Sequence, residues 1–206
     1  RVDMPSQEQV DAFLPPFEPR QVLDPQDPVS MGAMVGPEAF TEVRYLAHVK
    51  QMQALDLIPG WAAEFRKSFG RDSGGLMHEY RMEDADTVVV ALGSVLGTIK
   101  DTVDELRGKG HRIGVLGITC FRPWPTAAIR QALARAKRVV VVEKAFGVGL
   151  GGIVSANVRT SYGGSLDDVY TVIAGLGGRP ITRDSLTRVF LQCEEGNLAS
   201  LTFLDL

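Results

Sequence analysis

Four continuous β-branched runs constrain this 206-residue chain more than any other feature: TVVVAL at 87–92, RIGVLGI at 112–118, RVVVVE at 138–143 and VYTVIAG at 169–175. Their apolar residues do not alternate with polar ones, the pattern of strands covered on both faces. Between and after them lie stretches with helical periodicity, at 98–107, 125–136, 152–162 and 182–191. Strand and helix in regular succession predict right-handed βαβ crossovers and a doubly wound, mostly parallel sheet of four to five strands. The closing LASLTFLDL is expected to add an edge strand or a docking tail.

The chain before Asp86 has another character. Residues 1–37 carry Pro5, Pro15, Pro16, Pro19, Pro25, Pro28 and Pro37. Proline lacks a backbone donor and fixes φ, so a long helix or a central strand is excluded. Interleaved apolar residues such as Phe13, Leu14 and Phe17 predict an extended arm lying on a surface. In 38–85, Val43, Leu46, Ala47, Val49, Met52 and Leu55 fall at three- and four-residue spacings, a helical face with Thr41 placed to cap it. Pro59 and Gly60 are expected to break the run, and Trp61–Phe69 to form a second helix ended by Gly70. The domain division expected is therefore an arm (1–37), a helical segment with its connector (38–85) and an α/β domain (86–206). The chain begins with Arg1 instead of Met, which suggests processing or a piece of something longer.

Charge and cysteine content exclude several functions. With a formal net charge of −3 and both signs interspersed, the chain lacks the clustered basic face of a nucleic-acid binder. No apolar run approaches the roughly 20 residues that cross a bilayer, and no signal peptide is visible. Cys120 and Cys193 stand far apart in no CxxC context, and a metal or iron–sulfur site in this chain is not expected. Two reduced, buried thiols fit the cytoplasm.

Candidate binding residues gather after the strands, where open α/β sheets place ligands. Gly93, Ser94, Gly97 and Thr98 follow the first strand, and a helix N-terminus there offers amides to an anion. The spacing matches neither a dinucleotide fingerprint nor a Walker loop, and a tight turn with Ser94 or Thr98 as cap explains the same residues. Arg122 and Trp124, in ITCFRPWPTAAIR, read either as an anion or interface anchor or as a rigid loop packed on the sheet, with Thr126 capping the next helix. Lys144 precedes the glycine-rich FGVGLGG, a turn facing a neighbouring domain or, less closely, a dinucleotide loop. Arg179 follows Gly175, Gly177 and Gly178, and Thr182 with Asp184 marks a helix start. The acids of HEYRMEDAD (78–86) read as a solvated connector paired by Arg81, the alternative being a divalent-ion or acid–base pair. His48, His78 and His111 share no motif, and no loop presents a nucleophile with its base. No catalytic residue is assigned.

ADTVVVALGSVLGTIKDTVDELRGKGHRIGVLGITCFRPWP (85–125) resembles the second domain of pyruvate:ferredoxin (2-oxoacid:acceptor) oxidoreductases. DAFLPPFEPRQVLDPQDPVSMGAM, FRKSFGRDSGGLMHEYRMEDAD and IAGLGGRPIT resemble the same family, in order along the chain. More distantly, the βαβ block is similar to transketolase C-terminal domains. The resemblance implies the transketolase-C-terminal-like domain of an alpha subunit, within an oxidoreductase of the EC 1.2.7 type. There thiamine diphosphate attacks the 2-oxoacid, CO2 leaves, electrons pass through iron–sulfur clusters to ferredoxin or flavodoxin, and coenzyme A takes the acyl group. Thiamine diphosphate, Mg and the clusters are then expected in partner domains or subunits and none in this chain. The isolated chain is expected to be inactive. An independent CoA- or nucleotide-binding module is the alternative that the glycine turns leave open.

Overall fold

The computed structural model describes residues 3–32 and 34–206, which form two compact units, one through Gly75 and one from Leu76.

In the first unit, α1 (Gln7–Phe13) interrupts the proline-rich arm. Ser6 and Gln9 form a reciprocal cap: the Gln9 amide donates to Ser6 Oγ at 3.2 Å and the Ser6 amide to Gln9 Oε1 at 2.9 Å. This local gain starts a helix where proline counting predicts only extended chain. Phe13 then packs edge-on against Trp61, Phe65 and Phe69, at centroid distances of 6.4, 5.9 and 5.1 Å. The two expected helices are one, α2 (Phe40–Phe69), running through Pro59. Proline forfeits a single hydrogen bond, and the long helix formers on either side continue the ladder. Ala39, not Thr41, is its N-cap, and Gly70 ends it in the left-handed conformation as expected. α2 buries no residue, and Tyr45, Leu46, Leu57 and Trp61 are more than half exposed.

The second unit is a six-stranded sheet in the order β1-β3-β2-β4-β7-β8. Its strands are β1 (Met77–Tyr80), β2 (Thr87–Ala91), β3 (Ile113–Ile118), β4 (Arg138–Glu143), β7 (Val169–Ile173) and β8 (Leu201–Phe203). A two-residue hairpin, β5 (Phe146–Gly147) with β6 (Gly151–Gly152), stands apart from it. β2 pairs in parallel with β3 and β4, β4 with β7, and β7 with β8. β1 is the antiparallel edge, where the sequence suggested only a connector. Its four residues, MHEY, are too short and polar to read as a buried strand.

The helices are α3 (Val95–Gly108), α4 (Thr126–Ala132), α5 (Ile153–Ser161) and α6 (Arg183–Glu194). Successive residues of β2 serve opposite faces. Val89 and Ala91 pack with Ile99, Val103 and Leu106 of α3 and with Leu186 and Phe190 of α6. Val88 and Val90 pack with Ile129 of α4 and Val154 and Val158 of α5. This two-sided burial is what the unbroken valine runs anticipate. One crossover departs from the expected uniform hand. The steps β3–β4, β4–β7 and β7–β8 run the same way across the sheet. The first two pass over the α4/α5 face and the last over the α3/α6 face, so the last has the opposite hand. α3 alone cannot cover its face of this sheet, and α6 supplies the missing apolar layer. The tail is tied by the Leu204 amide to Ile173 O at 2.9 Å and by Ser185 Oγ donating to Asp205 Oδ2 at 2.6 Å.

The acids before β2 pair with basic residues on the amino-terminal side of the same strands. Asp84 pairs with Arg107 at 2.5 Å, and Asp86 pairs with Arg112 and with Lys137. Arg81 pairs instead with Asp104, which also accepts from Tyr80 Oη at 2.6 Å. No helix of the described residues is long and apolar enough to cross a membrane.

Candidate functional site at the switch point of the sheet

β2 leads to β3 on one side, and β4 lies on its other side, so the strand order reverses between β2 and β4. At such a point two helices leave in opposite directions and a crevice opens beyond the carboxyl ends of the strands. Here it is half-open, with a volume of about 770 Å³. Leu92, Val95, Phe121, Val142, Ile153, Val154 and Ile181 give it mostly apolar walls.

Five of the seven candidates meet in this crevice: Gly93, Ser94, Thr98, Lys144 and Arg179. Gly93 has φ 83°, a left-handed conformation that turns β2 sharply into α3. Ser94 stands at the N-cap of α3, but its side chain makes no capping hydrogen bond. Thr98 is one turn further on, its carbonyl accepting from Thr102 Oγ1 at 2.8 Å. Lys144 directly follows β4 and is exposed. Arg179 is partly committed elsewhere, since its Nη1 donates to Asp205 O at 2.6 Å and so ties down the tail.

The other two candidates do not line the crevice. Trp124 is half-buried against the α4/α5 core, with Nε1 donating to Ser161 Oγ at 2.7 Å. Arg122 is exposed, stacks on Phe121 at 4.2 Å and donates to the Phe121 carbonyl. The ring of Phe121 reaches the crevice in their place. α4 starts at Thr126 without a side-chain cap, because Pro125 occupies the N-cap position. The glycine-rich stretch after Lys144 forms the β5/β6 hairpin, whose tip exposes Val148 and Leu150.

One residue escaped the sequence reading. Glu143, the last residue of β4, is only 6% exposed, and its carboxylate lines the crevice. Oε2 accepts from the Val154 amide at 2.7 Å and Oε1 from the Ser155 amide at 2.9 Å. A buried charge is tolerated because it satisfies two orphan donors at the positive end of α5. A Cβ on Gly152 would overlap Glu143 Oε1, so glycine is required there for this close approach. An acid ending an apolar run shortly before a double glycine is the sequence signal that could have found it. Ser155 Oγ, beside the same carboxylate, is fully buried and has no hydrogen-bond partner.

The donor set limits the chemistry. Among the described residues no three His, Cys, Asp or Glu side chains converge to hold a metal ion. The one carboxylate of the crevice is already bonded to α5. Thiamine diphosphate with its divalent cation does not fit these residues. Cys120 is no nucleophile of the site: burial raises its thiol pKa, and Sγ donates to Pro123 O at 3.2 Å.

Residues 85–186 match the family described as pyruvate:ferredoxin oxidoreductase core domain II. Pyruvate synthase subunit PorA of Methanosarcina barkeri is 38% identical over 97% of this chain and 52% of its own length. The protein of the same name from Methanothermobacter thermautotrophicus is 38% identical over 100% of this chain and 52% of its own. Ketoisovalerate oxidoreductase subunit VorA of Pyrococcus horikoshii is 34% identical over 88% and 47%. The chain thus spans about half the length of the curated relatives it matches. It belongs to the pyruvate:ferredoxin oxidoreductase family and carries that family's core domain II.

Proposed function

We propose that this chain is a non-catalytic assembly domain of a thiamine-diphosphate-dependent 2-oxoacid:ferredoxin or flavodoxin oxidoreductase, with pyruvate as the substrate. It supports oxidative decarboxylation to acyl-CoA by the whole cytoplasmic complex. Thiamine diphosphate, Mg and the iron–sulfur clusters sit in partner domains or subunits.

The observation that carries this reading is how the polar groups at the carboxyl edge of the sheet are used. Glu143 caps α5, Arg179 binds the tail and Trp124 braces Ser161, and among the described residues no three His, Cys, Asp or Glu side chains converge to hold a metal ion. The relatedness to pyruvate synthase subunits over 97% of the chain supplies the reaction that such a scaffold would serve. Calorimetry tests the scaffold role. Thiamine diphosphate with Mg should give no saturable heat with this chain alone, whereas submicromolar binding contradicts the assignment.

A further inference from the structure

We infer that the carboxyl-end face of the sheet, around the crevice, docks an acidic, partly apolar protein segment from the thiamine- or cluster-binding parts of the enzyme. This rests on the assembly role and names the face that performs it. The first support is the uneven placement of charge along the strands. At their amino ends exposed cations meet acids: Arg112, before β3, and Lys137, before β4, both pair with Asp86. Asp167 and Asp168 precede β7 at the same end. At the carboxyl ends Arg122 follows β3, Lys144 follows β4 and Arg179 follows β7, all three exposed. Among the described residues none of them forms an ion pair. Arg122 donates to the Phe121 carbonyl and Arg179 to the Asp205 carbonyl, bonds that leave both charges without a counter-ion. Glu143, the acid among the crevice-lining residues, is buried and holds the Val154 and Ser155 amides. Asp205, after β8, pairs with Arg188. Like charges left together on one face select an acidic partner.

The second support is that each of these cations has an apolar companion. Arg122 stacks on Phe121, which lines the crevice. Lys144 leads into the β5/β6 hairpin, whose tip exposes Val148 by 93% and Leu150 by 73%, and whose flanks Ala145 and Ile153 line the crevice. Arg179 follows Leu176, which is exposed. Cations interleaved with exposed apolar side chains match a protein surface that brings carboxylates and apolar side chains together. Nucleic acid would meet the cations and leave the apolar residues in water.

The test is assembly of the purified chain with the thiamine- and cluster-binding parts of the enzyme, read as a dissociation constant at low and at high salt. Lys144→Glu and Arg122→Glu should each weaken assembly about tenfold at low salt, and Val148→Asp by about the same factor. The loss from the two charge reversals should shrink at high salt, while that from Val148→Asp persists. Lys109→Glu makes the same charge change at the amino end of β3, beside Glu105, and should leave the constant within about twofold. All four positions are exposed, so the variants should melt with the parent. If both charge reversals assemble as tightly as the parent, or Lys109→Glu weakens assembly as much as they do, this face is not the dock, although the assembly role stands. If the unaltered chain does not assemble at all, the assembly role falls and this inference with it.

Discussion

Replacing Glu143 with alanine removes the acceptor of two amides that have no other partner, at 2.7 and 2.9 Å, inside a nearly dry corner. Hydrogen bonds to a charged group contribute about 1.5–3 kcal/mol each. The orphaned Val154 and Ser155 donors and the cavity left behind add to the loss, while release of a buried charge offsets part of it. The expected net cost is about 3–5 kcal/mol, which for a unit of this size lowers the melting temperature by roughly 10–20 °C. Glu143→Gln keeps one carbonyl acceptor and should cost about half as much. Lys144→Ala, one residue away and exposed, should stay within about 0.5 kcal/mol of the parent. Thermal unfolding followed through Trp124 in a Trp61→Phe background reports on the sheet unit alone. If Glu143→Ala melts within a degree or two of its parent, the amides are solvated without cost and the capping account is wrong.

Three further outcomes follow from the same structure. Arg107 holds the Asp84 carboxyl below its usual pKa, Lys137 and then Arg112 do so for Asp86, and Tyr80 and then Arg81 for Asp104. Their stabilisation is present above the unfolded value near pH 4 and is lost as pH falls through the lower folded values. Acid titration should show that slope, reduced in Asp86→Asn, and a slope of opposite sign refutes it. Burial pushes the Cys193 thiol up to about 12. Thiol labelling in native buffer should therefore reach half-buried Cys120 well before Cys193, and equal rates would contradict the burial. Phe190→Ala, at a fully buried position of α6, should cost about 3–5 kcal/mol in denaturant unfolding, against about 0.5 or less for Leu46→Ala on exposed α2.

The central sheet was legible because valines that face α3 and valines that face α4 alternate within one run, and only a strand buried on both sides tolerates that. Shorter elements carried too little signal. β1 has four residues and one covered edge, and α1 depends on the Ser6–Gln9 cap within a proline-rich stretch. The continuity of α2 through Pro59 rests on a one-bond cost that the flanking turns absorb. The turns holding Gly93, Lys144 and Arg179 converge because parallel strands end on one side, a topological result available from the pattern alone. Arg122 and Trp124 follow a strand end as well, yet Trp124 turns into the α4/α5 core, where Ser161 offers a partner that no linear reading places beside it. Glu143 was hidden for a related reason: its two partners lie eleven and twelve residues away, across the hairpin.

The most direct measurement is pyruvate- and CoA-dependent reduction of ferredoxin, or of a viologen dye, by the purified chain and by the same chain assembled with the thiamine- and cluster-binding parts of the enzyme. The account predicts no turnover by the chain alone, turnover only in the assembly, and loss of turnover when this chain is omitted. Turnover by the chain alone, or an assembly equally active without it, would contradict the scaffold role.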